Sequence, residues 1–116
     1  MAEVKRGEIW IVNFHPAVGY EIQKARPALI IQNDKGNQYS QLTIVAPITS
    51  AHIEKIYPTE VFVMSKSSGL GFPSKVLLSQ IRTIDKARLG KKIGFLERDE
   101  MHEVNAAICE SLGIDE

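Results

Sequence analysis

The sequence predicts a mainly β fold: a small, strongly bent antiparallel barrel or open sheet, completed by one C-terminal α-helix. Two observations carry this. Short runs rich in β-branched and aromatic residues recur from residue 8 to residue 96, separated by turn signals. Beyond residue 97 the apolar spacing changes from that of strands to that of a helix. At 116 residues the chain is one domain, long enough for a real core, and no linker, repeat or low-complexity segment divides it.

The first strand is Glu8 to Phe14, EIWIVNF. Residues 15 to 25 carry Pro16 and Gly19 and read as a long, partly exposed loop. A second strand runs from Arg26 to Gln32, with Pro27 near its start because proline brings no N–H to a ladder. Asn33 to Asn37 is turn chemistry. Leu42 to Ile48 forms a third strand, ended or bent by Pro47. Glu60 to Met64 is a fourth, followed by a turn over Gly69 to Pro73. Lys75 to Ile81 is a fifth, and residues 82 to 96 add one or two short strands. Met101, Val104, Ile108 and Leu112 then fall on one helical stripe opposite an acidic face, and Gly113 stops the helix.

Net charge is zero, but it is divided. Residues 97 to 116 hold seven acidic residues against Arg98 alone, net −6; residues 1 to 96 hold 13 basic and 7 acidic residues, net +6. A basic body with an acidic C-terminal segment fits a surface that meets polyanions; a solvated acidic helix face accounts for the same numbers. No apolar run is long enough to cross a membrane, and the N-terminus lacks the apolar stretch of a signal peptide. The single Cys109 forms no internal disulfide and reads as a small core hydrophobe in a reducing, cytoplasmic compartment.

Most catalytic constellations are missing. There is no Gly-rich phosphate loop, and His15, His52, His102 and Cys109 lack metal-ligand spacing. His15 lies in the long loop, where it could serve as an acid or base, but no second group stands beside it in sequence. Three polar insertions at strand ends remain: Lys24-Ala25-Arg26-Pro27, Pro47-Ile48-Thr49-Ser50 and Ser79 to Asp85. Read alone, each is an ordinary strand terminus, with Arg82 and Asp85 a structural ion pair or turn brace.

Taken together, five blocks resemble the MazF/PemK family of bacterial toxins, and most closely its Gram-positive chromosomal branch. They are RGEIWIVNF at 6–14, KARPALIIQND at 24–34, TIVAPITS at 43–50, LLSQIRTIDKARLG at 77–90 and SLGI at 111–114. The resemblance implies an SH3-like antiparallel β-barrel with a C-terminal helix, and a homodimer. It implies a cytoplasmic toxin that cleaves single-stranded RNA sequence-specifically, without metal or other cofactor, and is neutralised by a cognate antitoxin. It places Arg26 and Thr49 at the family's catalytic positions, and Glu21, Lys24, Asn33, Ser50 and Gln80 along the RNA path. Another branch of the family has an acidic residue where this chain has Ser79 and an arginine where it has Leu77, so a mechanism built on those groups does not transfer. Ile22 stands where close relatives have a polar residue. The competing reading is a non-catalytic toxin of similar fold that inhibits a protein target such as a DNA topoisomerase.

The resemblance has a physical rationale. RNA carries its own nucleophile, the 2′-OH beside each phosphate. A protein can cleave it by aligning that hydroxyl and stabilising charge on the reacting phosphate. A guanidinium is permanently charged and planar, and it matches two phosphate oxygens. Arg26 at the start of an apolar core strand would be held rigidly for this, and Thr49 could donate its hydroxyl to the same phosphate. The group that takes the 2′-OH proton stays open between Thr49, water and a loop group.

Overall fold

In the computed structural model, which describes residues 3–16, 18–21 and 24–115, the strands and helices run in the order β1 (Glu8–Asn13), β2 (Ala25–Ile30), α1 (Asp34–Tyr39), β3 (Leu42–Thr49), β4 (Glu60–Val63), β5 (Ser74–Leu77), β6 (Arg82–Asp85), β7 (Leu89–Phe95) and α2 (Arg98–Leu112). Ile22 lies outside the described residues. All strand pairs are antiparallel, in the order β4-β5-β3-β2-β1-β7, with β6 also on β3. Hydrogen bonding does not close this path from β7 back to β4, so the sheet is open. It is nevertheless strongly curled. The 3₁₀ turn after β4, Lys66–Ser68, lies against β7 so closely that a Cβ on Gly94 would sit 2.2 Å from the Ser68 carbonyl oxygen. On the other side of the contact, Gly69 has φ +72°, and a Cβ there would sit 1.9 Å from the Ile93 oxygen. Only glycine fits both places.

Strand alternation sorts the core into two clusters. Ile9, Leu29, Ala46 and Ile48 join Val61, Val63, Val76 and Leu78 beneath Val104 and Ala107 of α2. Their sequence neighbours Trp10, Ala28, Ile30 and Val45 join Val12, Phe14 and Ile84 in the second cluster. Successive side chains of a strand point to opposite faces, so the central strands are buried on both. That is why ALII at 28–31 reads as a continuous apolar run.

Three expectations are corrected. Residues 34–39 form a short helix instead of a turn: Asn33 caps it by accepting the Gly36 N–H at 2.8 Å. Its buried Asn37 is bonded by Thr43, Gln32 and Lys86. The expected fifth strand breaks at a 3₁₀ turn, Leu78–Gln80, because its two halves pair with different parts of β3: β5 with Ile48–Thr49 and β6 with Leu42–Val45. In α2 the stripe holds for Met101, Val104 and Ile108, but Leu112 is 59% exposed, a turn past the last packed position.

The acidic face of α2 is not purely solvated. Glu97 and Glu100 form a reciprocal capping box, with Glu97 N–H donating to Glu100 Oε1 at 3.0 Å, and Ser65 Oγ donates to the same oxygen at 3.1 Å. Gly113, φ +71°, ends the helix as expected. Asp85 is a turn brace, accepting the Ala87 N–H at 2.8 Å. Arg82 forms no ion pair with it; its guanidinium lies 5.6 Å from the centre of the Phe14 ring.

Candidate functional site

The β2–β3 ladder ends at Ala28 opposite Pro47. Two steps further in the same register, Arg26 would face Thr49. Instead the strands part there: Arg26 continues opposite Val12 of β1, while Thr49 has moved opposite Lys75 of β5. A cleft of about 310 Å³ opens at this fork, and Arg26, Thr49 and Ser50 all line it. The wall across from them is the turn Gly69 to Phe72, with Ile93 of β7. Arg26 and Thr49 are half-buried and Ser50 is exposed.

Each strand end is rigid for a local reason. Behind Arg26 stand the fully buried Ala28, Leu29 and Ile30. Pro27 sits just outside the β2–β3 ladder, where its missing N–H removes no bond to β3. Thr49 Oγ1 accepts the Ala51 N–H at 3.1 Å, which fixes the side chain and leaves its own O–H proton to donate. Lys75, the cross-strand neighbour of Thr49, is 4% exposed and paired with Glu60 at 2.9 Å.

Glu21 and Gln80 meet in a second cleft of about 590 Å³, with Tyr20, Ser79, Ile81 and Arg82. Glu21 is held there by the Val18 N–H, 2.6 Å from its Oε1. Gln80 reaches the cleft because the 3₁₀ turn interrupts the strand at that point. Lys24 and Asn33 line neither cleft. Lys24 is exposed, with φ +67°, and Asn33 is the cap of α1. His15 lines neither; its carbonyl accepts Arg88 Nη1 at 2.6 Å. Among the described residues no group of three or more His, Cys, Asp or Glu is placed to hold a metal ion, and no helix is long and apolar enough to cross a membrane.

The first cleft thus presents a permanent planar cation, a hydroxyl donor and a second hydroxyl in one concavity. That set can bind a phosphodiester and neutralise charge gathering on it. Sequence reading passed over Phe72 at this site and the buried Lys75 beside Thr49. Phe72 reads as part of a turn, and nothing in the sequence signals that this turn lines the cleft. Lys75 looked like a strand residue, although a charge heading the apolar run Val76-Leu77-Leu78 is itself conspicuous.

Comparison with known proteins agrees with the geometry. A family model described as "PemK-like, MazF-like toxin of type II toxin-antitoxin system" matches residues 5–112. The chain is 42% identical over 112 residues to the Endoribonuclease MazF of Staphylococcus epidermidis, covering 97% of this chain and 93% of that one. The crystal structure of MazF from Deinococcus radiodurans superimposes with a TM-score of 0.84 at 27% identity, covering 98% of this chain and all (100%) of that one. A MazE–MazF structure from the same organism superimposes with a TM-score of 0.77 at 25% identity, covering 98% and 100%. With a match over nearly its whole length, the chain belongs to the family of PemK-like and MazF-like toxins of type II toxin–antitoxin systems.

Proposed function

We propose that the chain is a sequence-specific endoribonuclease toxin that cuts single-stranded RNA, with Arg26 and Thr49 as its catalytic residues. The observation that carries this is their meeting in one cleft from two different strands. The name of the Staphylococcus epidermidis relative supports the activity. The 2′-hydroxyl of the substrate attacks the adjacent phosphorus as its proton passes to water; a 2′-O–P bond forms, the bond to the 5′-oxygen breaks, and that oxygen leaves as a hydroxyl after taking a proton from solvent. Arg26 holds the non-bridging oxygens as charge accumulates, and Thr49 donates its hydroxyl proton in a hydrogen bond to the same phosphate. The charge that a metal ion would bring is supplied by the guanidinium, so the reaction runs without metal or other cofactor. Ser50 contacts the RNA beside Thr49. Glu21 and Gln80 bind a flanking nucleotide in the second cleft, and Lys24 contacts a phosphate at the rim. Asn33 reaches RNA only if α1 does, because its side chain caps that helix.

In this reading the whole chain is one toxin domain, an SH3-like barrel left open at the seam between β4 and β7. Two copies form a symmetric dimer, following the family and the general preference for two-fold interfaces. The toxin works in the cytoplasm, and a cognate antitoxin blocks the RNA groove. The family's place in toxin–antitoxin systems and the MazE–MazF neighbour support that partner. No observation favours the topoisomerase reading.

The test is purified protein with end-labelled RNA in excess EDTA. Discrete fragments are expected, and a folded Arg26→Ala variant should cut about 10²–10³-fold more slowly. Arg26→Lys should also be slow, because an ammonium lacks the two-pronged fork. Intact RNA, together with inhibited DNA supercoiling, would overturn the nuclease reading.

A further inference from the structure

We propose that Phe72 is a stacking platform for a nucleobase, holding the base next to the phosphate that Arg26 and Thr49 engage; the inference rests on the reading of this cleft as an RNA site. Phe72 lines the same cleft as those two residues, yet the residue is 73% exposed. Single exposed apolar side chains are ordinary on a protein surface and by themselves mean little. Here three further features accompany the exposure.

The turn that carries the ring is braced. Ser68 Oγ donates to the Ser65 carbonyl at 2.6 Å and accepts the Leu70 N–H at 3.2 Å. Leu70 packs against the core beneath α2, and Gly69 lies against the β7 backbone. On the far side Ser74 Oγ donates to the Phe72 carbonyl at 2.9 Å, and Pro73 has a fixed φ. The ring is therefore presented from a fixed backbone.

There is room beside it. A Cβ on Gly71 would meet no atom within 4 Å, and Gly71 itself lines the cleft, so the ring's neighbour leaves open space. The chemistry is also paired in the way a nucleotide needs. One wall has the apolar Leu70 and Ile93 with the Phe72 ring, and the strand fork has a guanidinium and two hydroxyls. A flat apolar ring beside a phosphate-binding group matches a base beside its own phosphate, and stacking on aromatics is how proteins hold splayed single-stranded bases.

A phenyl ring has no hydrogen-bonding group, so it can hold a base without identifying it. Phe72 then supplies affinity and alignment at the cut, while base identity is read by polar groups such as Glu21 and Gln80 in the second cleft.

The experiment uses the full chain and a fluorescein-labelled single-stranded RNA spanning a mapped cut, with a 2′-deoxy nucleotide at the cut to remove the nucleophile. Phe72→Ala should weaken binding by about 5- to 150-fold, Phe72→Leu should weaken it similarly, and Phe72→Trp should retain it. The exposed position should leave thermal unfolding unchanged in all three. A series of RNAs with one abasic nucleotide each then locates the base. At one position adjoining the cut, base removal should weaken binding by the parent but add nothing in Phe72→Ala. Parent-like binding by a folded Phe72→Ala overturns the proposal. So do effects that add at every abasic position, and so does a Phe72→Ala that loses antitoxin binding while keeping RNA binding. If the parent binds RNA through Phe72 but cuts none, the nuclease reading fails and the stacking site stands.

Discussion

Replacing Lys75 by methionine should lower the stability of the folded chain by about 3–5 kcal/mol, the cost of leaving one member of a buried ion pair alone. The magnitude follows from the geometry. The Lys75 and Glu60 side chains are only 5% and 11% exposed, and Nζ lies 2.9 Å from Glu60 Oε1. Nζ also donates to the Lys55 carbonyl at 3.3 Å, and Glu60 Oε1 accepts the Tyr57 N–H at 3.0 Å. Methionine retains the apolar stem and removes the ammonium, so the Glu60 carboxylate would keep the Tyr57 N–H alone against its desolvation. Domains of this kind have about 5–15 kcal/mol in total, so the loss is a large fraction. At roughly 4 °C per kcal/mol, Tm should fall by about 12–20 °C. The assay is urea unfolding at neutral pH, with the m-value checked for constancy. A second variant separates the charge effect from packing: Lys75→Met with Glu60→Leu should recover most of the loss, since two apolar side chains leave no buried charge. A Lys75→Met loss under about 1 kcal/mol, the worth of an exposed pair, would refute the reasoning. A double variant less stable than the single one would refute it equally.

Thr49→Val should slow single-turnover cleavage while changing RNA affinity little, and Thr49→Ser should recover rate because it restores the O–H; if rate and affinity fall together, Thr49 is a binding or structural residue. Glu8 supplies a pH dependence: burial alone would raise its carboxyl, but the hydrogen bond from Lys92, the N–H groups of Lys5 and Trp10 and the Lys92 charge together hold it below the ordinary 4.5. A lowered carboxyl stabilises the fold above the unfolded value, and that contribution is lost as pH falls through the folded one. Glu8→Gln should therefore lose less stability than the parent between neutral pH and pH below 4.5, and equal acid slopes in urea unfolding would contradict this. Reversing the exposed Glu103 and Glu110 to Lys should leave the cleavage pattern and the salt slope of RNA binding unchanged, because a slope near −0.7 per contacted phosphate comes from groups that touch RNA. A steeper slope would put α2 in the groove. Glu100 is unsuitable for that test, since it caps the helix.

What could be read from the sequence was what short-range physics decides. The helix limits followed from an apolar period and from Gly113, whose αL geometry is local. The core strands followed from residues that alternate between two faces. Most of the misses depended on partners brought in by the fold. DKGNQY is a poor helix by propensity, with glycine and asparagine in its interior; its cap and the bonds to Asn37 from Gln32, Thr43 and Lys86 hold it. KVLLSQI is a good strand by composition, and it breaks because its two halves pair with two different stretches of β3. Lys75 looks misplaced in an apolar strand until Glu60, from β4, is set beside it.

The site shows the same division. Arg26 and Thr49 could be picked out as polar strand ends, and their meeting could not, because 22 residues, a helix among them, separate the two. What joins them is a register that puts Ala28 opposite Pro47 and then stops. Proline has no N–H with which to prolong a ladder; pairing with β2 ends at Pro47, while the next residues, Ile48 and Thr49, pair with β5. Two strands that were one ladder part there, and Arg26 and Thr49 line the cleft between them. The space between them is open to a ligand, and each wall is the end of a buried strand. Such a fork gives a small protein a preorganised cleft without a second domain or a mobile lid, and electrostatic stabilisation of a reacting phosphate depends on that kind of fixed placement.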